Sequence, residues 1–127
     1  MKLTLDTNRY SDLARGEPGV VAIVSAATAV YVPVIVLGEL RAGFRMGTRE
    51  AKNEAALKQF LSRPEVHILY PDERTSFVYA SLEAELRARG KPIPTNDVWI
   101  AALTLQHGLT LYSRDPHFSH LPQVPVV

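Results

Sequence analysis

The chain opens MKLTLDTNRY, and its apolar run Leu3-Thr4-Leu5 ends directly on Asp6. A strand this short and apolar suits the middle of a parallel sheet covered on both faces. The carboxylate at its end, followed by Thr7 and Asn8, stands where a strand hands over to a helix. Taken alone, Asp6 reads equally as a helix cap, favoured by the dipole by about 0.3–1 kcal/mol, or as one arm of an acidic site. The rest of the chain has to separate the two readings.

The same alternation continues downstream. Val30-Tyr31-Val32-Pro33, Val66-His67-Ile68-Leu69 and Leu109 to Tyr112 read as further strands, and Val124 to Val127 as a short fifth. Helical stretches lie between them: about Thr7 to Ala14, Val20 to Ala29, Ile35 to Phe44, Arg49 to Leu61 and Glu73 to Arg89. A last helix is expected in TNDVWIAALTLQHG, with Thr95 as its N-cap and Gly108 as its C-cap. Strands alternating with helices predict a three-layer α/β/α sandwich with a mostly parallel central sheet of four to five strands. At 127 residues, without linkers or repeats, the chain reads as a single domain over residues 1–127.

Four acids fall at the strand-to-helix junctions: Asp6, Glu39 in VIVLGELRAG, Asp97 in NDVWIAA and Asp115 in LYSRD. In an open α/β sheet the carboxyl ends of the strands share one edge, where ligands bind. Acids far apart in sequence are therefore expected to meet. Glu39 is the hardest to read as a mere surface charge, because Val36, Leu37 and Leu40 surround it. Like charges about 5 Å apart at an effective dielectric near 20 repel by roughly 3 kcal/mol per pair, which outweighs any capping gain. Convergent acids must take up protons or bind a cation. Oxygen donors without cysteine favour a hard dication, Mg2+ or Mn2+.

LDTN, GELRAG, NDVWIAA and LYSRDPHF, in this order and approximate spacing, resemble the PIN domain family, in particular the VapC-like toxins of toxin–antitoxin pairs. The resemblance covers essentially the whole chain. It implies a magnesium-dependent endoribonuclease whose quartet Asp6, Glu39, Asp97 and Asp115 holds one or two divalent ions. Thr7, Asn8, Asn96 and Ser113 match the supporting polar positions. Pro33 stands where many relatives carry serine, so no polar role is expected there. The resemblance further implies a cognate antitoxin, VapB-like, a homodimer or a larger assembly with that antitoxin, and an RNA substrate. In relatives a helical groove accepts the antitoxin's peptide, which would place Ala42, Phe44 and Met46 on a docking face.

A divalent ion held by these acids would lower the pKa of a water, neutralise a phosphodiester and fix in-line geometry. The formal charge of +1, from 14 basic and 13 acidic residues, says little about nucleic acid by itself. With the four acids sequestered, nine others face the 14 basic residues. Arg9, Arg41 and above all Arg114, which adjoins Asp115, are the expected RNA contacts. Any other single arginine reads as part of a solvated face. His117 and His120 have a zinc-like spacing but no third ligand and no helix to align them, so no metal role is expected of them. Trp99 reads as a packing residue.

Other classes fit less well. A receiver-like signalling domain wants paired acids after the first strand, and a Rossmann domain wants a Gly-rich turn there; LDTNRY offers neither. A PIN-like scaffold that binds RNA or a partner without cutting remains the alternative. No apolar run approaches the roughly 18 residues of a membrane span. Lys2 precedes a strand rather than an apolar signal core, and cysteine is absent, so the expected location is the cytoplasm.

Overall fold

A computed structural model describes residues 1–127. The order is β1 (Lys2–Leu5), α1 (Thr7–Ala14), α2 (Pro18–Ala26), β2 (Ala29–Pro33), α3 (Val34–Met46), α4 (Glu50–Leu61), β3 (Val66–Leu69), α5 (Glu73–Ala88), α6 (Thr95–Gln106) and β4 (Thr110–Tyr112), then a 3-10 turn at Pro116–His120. The sheet order is β3-β2-β1-β4, every pair parallel, with helices flanking it. This is the expected α/β/α sandwich. No helix is long and apolar enough to cross a membrane.

Burial on both faces explains why β1 lacks polar alternation. Leu3, Thr4 and Leu5 are all fully buried, and Val30, Val32 and Leu111 complete the centre of the sheet. The one polar side chain of that run, Thr4, lies 3.0 Å from the buried Thr104 hydroxyl of α6, so neither oxygen is left without a partner. Trp99 stacks on Tyr79 with ring centroids 4.2 Å apart, which fixes α6 against α5 and gives the tryptophan the packing role its sequence context predicts.

Two expectations are corrected. The segment Val124 to Val127 forms no fifth strand, only an isolated parallel bridge between Leu111 and Val126. Leu111 donates to Pro125 O and Val127 donates back to Leu111 O, but Pro125 has no N–H with which to extend the ladder. Thr95 is not the N-cap of α6. Pro94 takes that position, its carbonyl accepting from the Asp97 and Val98 amides, and Thr95 is the first helical residue. The far end follows the sequence signal, because Gly108 at φ +62° takes the left-handed conformation just past the helix.

The topology has one functional consequence. The chain leaves β1 for β2 on one side and later returns to β4 on the other, so the carboxyl ends of β1 and β4 flank a switch point. Leu5 is in register with Tyr112, and the Asp6 amide donates to Tyr112 O at 3.1 Å. Asp6 and Ser113 therefore leave the sheet side by side. Leu5→Ala, which empties a fully buried site in this central strand, is expected to lower unfolding free energy by about 2–5 kcal/mol in urea denaturation.

Candidate active site

At the switch point Asp6 does both jobs raised by the sequence. Its Oδ1 accepts from the Thr7 amide at 2.8 Å, capping α1, while its Oδ2 accepts from Ser113 Oγ at 2.6 Å and Asn8 Nδ2 at 3.4 Å. Capping thus consumes one oxygen and leaves the other among groups from β4 and α1. Glu39 reaches the same place from α3, its Oε1 accepting from Thr7 Oγ1 at 2.7 Å. Asp97 lies in the first turn of α6 and is buried, and Asp115 caps the 3-10 turn after β4.

The four acids share one electrostatic environment. Burial is the main cause that raises the Asp6 pKa, opposed by hydrogen bonds from Ser113 and Thr7 and reinforced by the charges of Glu39 and Asp115. For Asp97 burial again comes first, followed by repulsion from Asp115 and Asp6. Together they push it up to about 6, against a restraining contribution from His117. Clustered carboxylates in partly dry surroundings resist ionising together, which is the condition under which a bound cation is most favourable.

His117 is the residue that reading the sequence missed. Its Nδ1 lies 3.2 Å from Asp97 Oδ2 and 3.1 Å from Asp115 Oδ1. Donor atoms of Asp97, Asp115 and His117 all fall within 4.8 Å of one another, a group that suits a divalent ion. The expectation that the histidine pair lacks neighbouring ligands fails for His117, which has two carboxylates beside it. A local signal existed. Asp115 caps the turn by accepting from the His117 amide at 2.9 Å, Pro116 fixes its first residue, and buried Phe118 anchors it.

The supporting positions divide. Thr7 bonds to the Glu39 carboxylate and Asn8 and Ser113 to that of Asp6, and Ser113 Oγ also accepts from the Asp115 amide at 3.0 Å. Asn96 is exposed and bonds to none of the four acids. The expected RNA-binding arginines are engaged within the molecule. Arg41 forms a bidentate pair with Glu54 at 3.0 and 2.9 Å, joining α3 to α4. Arg114 contacts Asp12 through Nε at 3.1 Å, and Arg9 contacts the same carboxylate at 3.2 Å.

Asp12, which no sequence pattern singled out, is buried beneath three arginines, since Arg15 bonds to it as well. Hydrogen bonding from Arg114 is the first cause that holds its pKa below the usual carboxylate range. Three arginines share this one carboxylate, and the Arg114 amide, donating to Asn8 Oδ1 at 3.3 Å, ties the cluster to the site.

The family model for the PIN domain matches residues 3–124. The chain belongs to the PIN domain family. Over 96 residues, 76% of this PIN domain and 74% of the relative, it is 32% identical to the Ribonuclease VapC4 of Mycobacterium tuberculosis. It is 33% identical over 125 residues to the Toxin FitB of Neisseria gonorrhoeae, covering 89% of this chain and 87% of that one. A chain in the structure of VapBC-1 from nontypeable Haemophilus influenzae superposes with a TM-score of 0.87 at 25% identity, covering 100% of this PIN domain and 97% of that chain.

The raised Asp97 pKa has a measurable consequence. Between about pH 4 and about 6 the folded PIN domain holds a proton that the unfolded chain has released, so stability falls as pH rises through that window. The melting temperature of EDTA-treated protein is expected to decline from pH 4 to 6 on this account, and added Mg2+ or Mn2+ to recover it at pH 7. An Asp97→Asn variant should lose most of that dependence.

Proposed function

We propose that this PIN domain is a metal-dependent endoribonuclease that acts as the toxin of a toxin–antitoxin pair in the cytoplasm. The observation that carries the reading is the convergence of Asp6, Glu39, Asp97 and Asp115 on the β1–β4 switch point, in a chain related to proteins named as ribonucleases and toxins. The donor set fits a divalent ion, Mg2+ or Mn2+. Asp97 and Asp115 present clustered oxygens, and Asp6 and Glu39 add negative charge beside them.

When bound, such an ion activates water, neutralises the phosphodiester and stabilises an in-line displacement. The chain supplies the rest. Thr7 fixes the Glu39 carboxylate and Ser113 fixes Asp6, so that neither has to be ordered when substrate arrives. Asp12 gathers Arg9, Arg15 and Arg114 into a positive surface beside the acids, where an RNA backbone would lie. Burial of Asp6 and Asp97 keeps these charges in a medium of low dielectric, where their hold on a cation is stronger than in water.

The partner is an antitoxin, in line with the name VapBC carried by the similar structure. An open groove of about 360 Å³ between α1, α2 and α4, lined by Tyr10, Leu13, Val21, Ala56, Phe60 and Arg63, suits an apolar peptide segment with an acidic end. Of the docking residues expected from sequence, Ala42 and Met46 are exposed and Phe44 is half-buried.

With Mg2+ present the purified chain is expected to cleave RNA, and EDTA to stop it. Asp97→Asn should retain the fold by circular dichroism and lose activity by about 100-fold or more, together with Mg2+ affinity in calorimetry. RNA binding without cleavage under any divalent ion would favour the scaffold reading instead.

A further inference from the structure

His117 is not an ordinary surface residue. Its position is set from two sides, by the Asp115-capped turn and by Phe118 and Leu121, both buried in the core. It therefore does not hang over the acids by chance of a flexible side chain. Its Nδ1 meets one oxygen of Asp97 and one of Asp115 at 3.2 and 3.1 Å. Two ligands on adjacent vertices of an octahedron with bonds of roughly 2.0–2.1 Å are about 2.9 Å apart. Those contacts thus have the span of ligands to one shared ion. The remaining ring nitrogen is on a side chain that is 44% exposed, so the ring has room to reorient.

We propose that His117 is a direct metal ligand, forming a mixed nitrogen–oxygen set with Asp97 and Asp115 that biases the site toward transition dications such as Mn2+ over Mg2+. This rests on the reading of the acidic quartet as a divalent-metal site. The bias follows from donor chemistry. Mg2+ gains little from an imidazole and prefers oxygen, whereas first-row transition dications accept imidazole nitrogen readily. A purely carboxylate site discriminates between the two ions weakly, and one neutral nitrogen adds affinity for only one of them. A nitrogen in place of a further carboxylate also lowers the negative charge that the cluster carries in the absence of metal.

The test uses the EDTA-stripped chain with MnCl2 or MgCl2 as probes, comparing wild type with His117→Ala and with His107→Ala, an exposed histidine at the end of α6. Pulsed EPR of the Mn2+ complex should show nitrogen-14 modulation in wild type and His107→Ala, and lose it in His117→Ala. Calorimetry should show Mn2+ affinity falling about tenfold or more in His117→Ala, while Mg2+ affinity changes by less than about threefold. Bound Mn2+ without nitrogen modulation in wild type overturns the assignment and leaves the carboxylate site standing. Equal losses for both ions, or tighter binding of both, likewise overturn it. A wild-type protein that binds neither ion removes this inference and the metal-site reading together.

Discussion

Mutual repulsion among carboxylates is the constraint around which this molecule is arranged. Asp6 and Asp97 are buried; beyond burial, Glu39 and Asp115 raise the cost of ionising Asp6, and Asp115 and Asp6 raise that of Asp97. A fold that stabilises itself by burying apolar surface would gain by replacing these acids with alanine or leucine. Instead it devotes hydroxyl and amide donors to them: Thr7 on Glu39, Ser113 and Asn8 on Asp6, and the His117 amide on Asp115. Those bonds hold the oxygens in place but cancel only part of the charge. What remains is a concentration of negative charge that favours a cation.

The parallel sheet is what lets acids so far apart in sequence assemble at one edge. Parallel strands deliver all their carboxyl ends to one edge, and the β3-β2-β1-β4 order opens a gap beside β1 where chain direction across the sheet reverses. Asp6 and Ser113 meet because Leu5 and Tyr112 are in register, 107 residues apart in the Asp6–Ser113 pair. Helices α3 and α6 then bring Glu39 and Asp97 to the same edge from flanking layers.

Much of this was legible in the sequence because each acid sits at a junction with its own local signature. Leu3-Thr4-Leu5 announces a strand buried on both faces, and Asp6 marks its end. Glu39 is conspicuous for its apolar neighbours. What the sequence concealed depends on contacts without local pattern. Asp12 looks like any polar residue of a short helix, and its importance comes from Arg114, 102 residues away. The pairing of Arg41 with Glu54 depends on how α3 and α4 turn against each other, so an arginine that reads as free is committed. His117 depends on a 3-10 turn whose aim is set by the packing of Phe118. The tail beyond Pro122 has strand-like composition, yet Pro125 limits it to a single bridge.

The most direct measurement is an anomalous-difference map from a crystal of the protein grown with MnCl2. A strong peak is expected within coordination distance of carboxylate oxygens of Asp97 and Asp115, on the side facing Asp6. Fully ordered acids without such a peak, neutralised by protons or by a swung-in arginine, would contradict a cation site there.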